Sequence, residues 1–270
     1  MRNDAQALKG IDLALYMRRR SRLDWLLIAA ICIAVGAWSA WGTNFNIPEL
    51  IEGFPHIYNL GKRMLPPDLE IVQNLGGPLI ETIQMALLGT TIPIFFTIPL
   101  ALFCASNTRR SHTLGNILRV ILNTLRTIPE LLWAMLLVSA VGLGPFPGTL
   151  ALILHTTGGM GKFYYETVEA VDPGVIEAME ATGASRFKIY WLGIIPTILP
   201  NLMSVALLYW DYNNRAATIL GLVGAGGIGL TLTHAIQDFQ YREAVTCLIA
   251  IVLILTVIDR ISAALRSRVI

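Results

Sequence analysis

The sequence predicts an all-α integral membrane protein with about six transmembrane helices, and three observations carry that prediction. Of 270 residues, 54% are hydrophobic and only 14% charged, whereas a soluble domain carries about 25% charged residues. Mean hydropathy is +0.61. The apolar residues are gathered into separate runs, several long enough to cross ~30 Å of hydrocarbon at about 1.5 Å per residue. In lipid, each such run must satisfy its backbone polar groups internally, which selects helices. A net charge of +2 offers no basic surface for nucleic acid. Cys32, Cys104 and Cys247 stand singly inside apolar runs, with neither a disulfide framework nor metal-ligand spacing, and read as packing residues.

Residues 1–22 form a tail bearing Arg18, Arg19, Arg20 and Arg22. The first apolar run, residues 23–41, is longer than the core of a secretory signal, lacks a small-residue cleavage site and closes on Trp38 and Trp41 as interfacial aromatics do. It reads as a retained span. Residues 42–78 mix Pro48, Pro55, Pro66 and Pro67 with Glu49, Glu52, Asp68 and Glu70, and predict a loop of short amphipathic pieces, a connector or a platform for an external partner. The remaining spans fall within residues 79–260: Leu79–Ala105, Ile128–Leu143, Thr149–Tyr165, Leu192–Tyr209 and Ala244–Ile258. A glycine-rich stretch, Ala216–Leu232, is expected to dip into the membrane without crossing it, and residues 261–270 form a second tail.

Lysine and arginine set the orientation. With the N-terminus inside, the cytoplasm receives the four tail arginines, Arg109, Arg110, Arg186, Lys188, Arg260, Arg266 and Arg268, and the outside mainly Lys62, Arg63, Arg215 and Arg242. Both termini are then cytoplasmic, residues 42–78 external, and the long polar interruption at residues 166–188 cytoplasmic.

Two nucleotide-like signals fail on context. Gly224-Ala225-Gly226-Gly227-Ile228-Gly229 fits the dinucleotide pattern, but no strand precedes it and nothing around it builds a parallel sheet. Gly161-Lys162 has Thr156 where a phosphate-binding loop needs its first glycine and Phe163 where it needs a hydroxyl. If ATP drives this protein, another chain binds it.

The informative segment is the polar interruption. Asp172-Pro173-Gly174 is helix-start chemistry, Val175, Ile176, Met179 and Ala181 interleave with Glu177 and Glu180 in a helical rhythm, and Gly183 breaks it. The small residues Ala178, Ala181, Gly183 and Ala184 suit close docking of a short helix in a partner's groove; the alternative is a solvated loop.

Glu177-Ala178-Met179, Gly183 and Ile195-Pro196 resemble the EAA loop of permeases from ATP-binding-cassette (ABC) importers: Glu-Ala-Ala, three residues, Gly, nine residues, Ile-x-Leu-Pro. Met179 departs from the third Ala, Gly193 from the Ile and Ile195 from the Leu. The stretches Arg126–Ala134, Val141–Phe146, Leu150–Gly158 and Arg215–Gly229 are similar to those of phosphonate-uptake permeases, although Tyr209 and Asp211 replace the Arg and Glu expected there. The resemblance implies a type I importer permease of methionine-permease-like (MetI-like) fold in a bacterial cytoplasmic membrane. It implies no catalytic residue, metal or cofactor in this chain, ATP and Mg²⁺ being bound by a partner ATPase. Implied partners are a second permease copy, two ABC ATPase subunits, an extracytoplasmic binding protein and membrane lipid. The ATPase-docking coupling helix is implied at Val175, Ile176, Glu177, Ala178, Met179, Glu180, Ala181, Thr182, Gly183, Ala184 and Ser185, and the cargo is phosphonate, phosphite or phosphate.

Ionisable side chains within spans are costly and mark interior paths. Arg126 with Glu130 and Asp211 with Arg215 stand four apart, either pair able to neutralise itself; His155 lies beside Thr156 and Thr157. These five are the candidate path residues, with Arg215 expected near the external mouth. Rival readings are a permease for another solute such as methionine, an ion-coupled carrier and a membrane enzyme. The carrier needs mid-membrane carboxylates and often an inverted repeat; the enzyme needs clustered catalytic groups.

Overall fold

The computed structural model describes residues 24–109 and 111–269; the tail arginines Arg18, Arg19, Arg20 and Arg22, and Arg110, lie outside the described residues. The chain divides into two compact units, Met1–Lys62 and Arg63–Ile270. The described residues form helices and turns without a strand, which removes the dinucleotide-binding alternative.

In the first unit, α1 (Asp24–Gly42) is 19 residues long and apolar enough to span a bilayer. The loop expected as short amphipathic pieces instead forms one helix, α2 (Ile47–Met64), of 18 residues with Pro55 inside it.

The second unit is built around two parallel helices. α3 (Val72–Cys104) has 33 residues, about 50 Å at 1.5 Å per residue, more than the ~30 Å of hydrocarbon. α6 (Pro145–Glu169) runs beside it over 25 residues. Glycines permit the approach: a Cβ on Gly148 would lie 2.6 Å from Met85 Cε, and one on Gly89 2.8 Å from Leu152 Cβ. α4 (His112–Thr127) packs on the other side of α6, where a Cβ on Gly158 would lie 2.5 Å from the Arg126 backbone nitrogen. Ile128 is then extended ahead of Pro129, as a residue preceding proline prefers. The chain turns by 87° into α5 (Glu130–Val141). The run expected as a single span at Ile128–Leu143 is therefore the shorter arm of a bent pair.

After α6 come α7 (Pro173–Ala181), the single turn α8 (Arg186–Lys188), a π-helical stretch Ile189–Ile194, and α9 (Ile195–Leu220), which runs antiparallel to α6. The Leu202 carbonyl accepts from Tyr164 Oη at 3.1 Å near one end, and Thr156 Oγ1 donates to Asn213 Oδ1 at 3.1 Å further along. A 3-10 turn, Gly221–Val223, and a break lead into α10 (Gly227–Gln237). Its first two free N–H groups are capped from α3: Gly227 N donates to Glu81 Oε1 and Ile228 N to Thr82 Oγ1, both at 2.9 Å. This occupies orphan donors that would be costly in a low-dielectric setting. Gly226 and Gly227 have positive φ, and a Cβ on Gly227 would lie 2.5 Å from Thr82 Oγ1. The glycine motif is a helix break that lets α3 reach a helix end. α11 (Tyr241–Val269) closes the fold and absorbs Arg260, Arg266, Arg268 and most of the expected tail.

Among the described residues, four helical stretches are long and apolar enough to cross a membrane, five if the bent pair counts as one. The segment expected as a span at Thr149–Tyr165 is not among them. It lies in α6, which neighbouring helices cover over much of its surface: Ala151, Leu152, Thr156, Met160 and Tyr164 are all buried. Such a helix tolerates glycine, threonine and Lys162, which lower its hydropathy.

Candidate functional site

The segment expected to couple, Val175 to Ser185, takes its shape because each turn of it is specified locally. Asp172 caps α7, its carboxylate accepting from Gly174 N at 2.8 Å, and Pro173 occupies the first helical position where no N–H is needed. At the other end Gly183 has φ +71, and Ala184 N donates back to the Met179 carbonyl at 3.3 Å, closing a Schellman cap. Val175, Ile176, Met179 and Ala184 turn inward against the core. Glu177, Ala178, Glu180, Ala181, Thr182, Gly183 and Ser185 are exposed. The segment thus has one anchored face and one free face rich in small residues.

Two departures from the EAA pattern meet each other. A Cβ added to Gly193, in the π-helical stretch, would lie 3.3 Å from Met179 Cγ and 3.8 Å from Val175 Cγ1. The larger side chain at position 179 fills the space left by the smaller residue at position 193.

Below this contact lies a polar frame that sequence reading did not find. Glu169, at the end of α6, accepts from Ser106 N at 2.7 Å and pairs with Arg119 of α4. Arg119 Nε also donates to the Cys104 carbonyl at 2.9 Å, and its guanidinium stacks 4.8 Å from the Tyr165 ring centroid. Asn107 Nδ2 donates to the Val168 carbonyl at 2.7 Å, and Tyr190 Oη donates to the Thr108 carbonyl at 2.9 Å. The ends of α3, α4 and α6 and the π-helical stretch are so joined into one bracket. Burial alone would raise the Glu169 carboxyl; the Ser106 donor and the Arg119 charge outweigh it and hold the carboxyl below its ordinary range. The available signal was position: Glu169 falls within the interruption at residues 166–188, and Arg119 is the one cation in the middle of α4.

Four of the five candidate path residues form two groups, and Arg126 joins neither. Pro129 breaks the spacing that would have put Arg126 and Glu130 on one helical face: Arg126 Nε donates to Asn123 Oδ1 at 3.2 Å, while Glu130 opens α5. Glu130 instead joins His155, 3.7 Å from its Nε2, and accepts from Tyr212 Oη at 2.9 Å. His155 Nδ1 lies 3.1 Å from the Ile128 carbonyl, and its ring stacks on Tyr212 with centroids 6.0 Å apart. Beside this trio, Thr156 donates to Asn213, whose Nδ2 donates to Thr90 Oγ1 at 2.9 Å; Thr90 lies close to the midpoint of α3. The second group is Asp211 and Arg215, which do pair, with Arg215 Nη2 also 3.1 Å from Asp259 Oδ1 of α11. Tyr212, Asn213 and Asp259 carried no sequence signal, because each depends on a neighbour distant in the chain.

The described residues form a helical membrane core with a capped, half-exposed segment at one end, an arrangement that suits a transport permease. The chain belongs to the family described as binding-protein-dependent transport system inner membrane component, which it matches over residues 97–270. It is the non-catalytic membrane subunit of an ABC importer, with ATP hydrolysis in a partner ATPase. Among its relatives is a phosphite transport system permease protein of Stutzerimonas stutzeri (PtxC), 39% identical over 98% of this chain and 97% of the relative. A putative phosphite transport system permease protein of the same organism (HtxC) is 36% identical, over 92% and 87%. A phosphate-import permease protein of Mycolicibacterium smegmatis (PhnE) is 35% identical over 84% of this chain and 43% of the relative. In fold, the chain is similar to inward-facing MetNI methionine ABC transporter structures, with TM-score 0.66 and 18% identity over 75% of this chain and 99% of that one.

Proposed function

We propose that this permease imports a phosphorus oxyanion (phosphite, phosphonate or phosphate) handed over by a binding protein, acting as a homodimer with one ATPase under each copy. The observation that carries the reading of the site is the coupling segment: a helix with one face seated on the core bracket and the other presented outward. Nucleotide-driven movement of the ATPase pushes on Glu177, Ala178, Glu180 and Ala181. The seat of Met179 on Gly193 passes that push to the base of α9. α9 carries Asp211, Tyr212, Asn213 and Arg215, so displacement at its base moves the polar track in the middle of the bundle. Both termini and the coupling segment then face the cytoplasm, in agreement with the lysine and arginine distribution. The substrate class is supported by the phosphite and phosphate permeases to which the chain is similar over most of its length. Among these polar groups Arg215 pairs with both Asp211 and Asp259, and Glu130 lies against His155 and Tyr212, so each carboxylate already has a partner.

The test is ATP-dependent uptake into proteoliposomes containing the permease and its ATPase, with binding protein added or withheld. Phosphite, methylphosphonate, phosphate and methionine are each offered. Uptake of a phosphorus oxyanion that needs all three components is expected. Methionine as the sole transported solute, or uptake by the permease alone, defeats the proposal.

A further inference from the structure

The turn joining α10 to α11 holds an aromatic residue where the backbone asks for glycine. α10 ends in a Schellman cap, with Gln240 N donating to the Ala235 carbonyl at 2.8 Å and Phe239 N to the Ile236 carbonyl at 3.1 Å. The left-handed position of that cap is Phe239, at φ +57. Glycine adopts this conformation without penalty, and a bulky side chain there is a genuine outlier. The aromatic ring gains little from packing in return: Phe239 is 75% exposed, with Tyr241 edge-on to it at 6.2 Å between centroids. Strain that the chain itself does not offset is found where a residue serves a contact.

The base of the turn is stiff. Arg242 Nε donates to the Pro66 carbonyl at 2.8 Å, Asp68 N to the Arg242 carbonyl at 3.3 Å, and Thr246 Oγ1 to the Asp68 carbonyl at 2.7 Å. A cavity of about 520 Å³ opens beside Phe239, lined by Arg63, Asp68, Gln240, Arg242 and Glu243. Four charged groups around one opening place the turn at or beyond the membrane–water boundary rather than inside the hydrocarbon. The turn also lies beyond the Val72 end of α3, whereas the coupling segment adjoins its Cys104 end.

We infer that Phe239 is a rigid docking knob for the extracytoplasmic binding protein, with the adjoining charged cavity receiving polar side chains of that partner. The inference rests on the proposed orientation, which puts this turn outside the cell. An exposed aromatic on a fixed base, rimmed by charges of both signs, is the composition of an interface anchor. It fits a folded protein surface with an apolar pocket and a mixed-charge rim better than a small anion, since Asp68 and Glu243 stand beside the two arginines.

The experiment uses the full permease–ATPase complex in lipid nanodiscs, with thermal unfolding, basal ATPase activity and binding-protein affinity measured for wild type and three variants. Phe239→Gly and Phe239→Asn accept the left-handed backbone, so both are expected to unfold at the same or a higher temperature. Both keep basal ATPase activity and lose about tenfold or more in binding-protein affinity and in its stimulation of ATP hydrolysis. Phe239→Tyr keeps the affinity. Wild-type affinity in Phe239→Gly with basal ATPase activity intact overturns the inference. Failure of the wild-type complex to hydrolyse ATP with its partner would instead fault the proposed function, so the two failures are told apart.

Discussion

Glu169 shows how much one carboxylate organises. It ends α6, caps the turn after α3 through Ser106 and meets Arg119 from α4, so three helices converge on two oxygens. Arg119→Ala leaves that carboxylate and the Cys104 carbonyl short of a donor, at a cost of about 1–3 kcal/mol. Arg119→Lys recovers only part of it, because a single ammonium does not serve the fork of contacts that the guanidinium makes. Both are measurable by thermal unfolding in detergent. The pH dependence has a definite sign. Since the folded carboxyl titrates below its ordinary value, its stabilisation is complete above the ordinary carboxylate range and is lost as pH falls through the lowered value. The unfolding temperatures of wild type and Glu169→Gln should therefore differ at pH 7 and converge in acid; a gap that persists in acid means the pair is not what stabilises the bracket. Little of this was legible from residues alone, because a glutamate at the edge of a polar stretch looks like any solvated charge until the fold brings Arg119 against it.

At the scale of elements, the sequence was most legible where the chemistry is local. Asp172-Pro173 and Gly183 marked both ends of α7, because capping and left-handed backbone depend on neighbours in the chain. Spans read from apolar runs were displaced at their ends. α9 begins at Ile195-Pro196 as a continuation of π-helical backbone, and α11 carries its charged turns past the apolar stretch. Pro129 disturbs the four-residue spacing of Arg126 and Glu130: the residue before proline leaves the helical region, so the two do not share a helix face. α6 falls below the hydropathy of the other long helices because its buried faces carry glycine and threonine packed against neighbouring helices. The element-level prediction concerns the seat between α7 and the base of α9. Gly193→Ile places a side chain against Met179 and should lower transport per ATP hydrolysed, with ATPase co-purification retained. Met179→Ala alone opens a gap there. The two together should recover part of the loss, a coupling of about 0.5–3 kcal/mol when read as a double-mutant cycle. Strict additivity means the two positions do not share a contact.

For the whole molecule, the division of labour is clear. The helical core holds a polar track, one end holds the half-exposed segment proposed to seat the motor, and the other a stiff, charged rim. Of the two polar groups, the Glu130–His155–Tyr212 trio is self-satisfied, whereas Arg215 and Asp259 have half-exposed side chains on spanning helices, a costly exposure to lipid. A second copy covering that face is the expected remedy. Native mass spectrometry of the purified complex should give two permeases to two ATPases, and Asp259→Ala should lower the dimer fraction. A stable, transport-competent single permease copy excludes this arrangement. The membrane class was readable from composition, and the importer family from the coupling motif. The track was not, since Thr90, Thr156 and Asn213 lie on three helices and meet only after folding.

The contact of Met179 with Gly193 has a consequence for protein engineering. Exchanging motor specificity between related importers invites grafting of the short docking helix alone, with both cut sites in the adjacent turns. In this chain such a graft severs a matched pair, because the bulk on the helix and the hollow that accepts it are fourteen positions apart. The transplantable module runs from Asp172 through Gly193. A chimera that stops at Ser185 should assemble with the donor's ATPase yet hydrolyse ATP without moving cargo, and extending the graft by those last eight residues should restore transport.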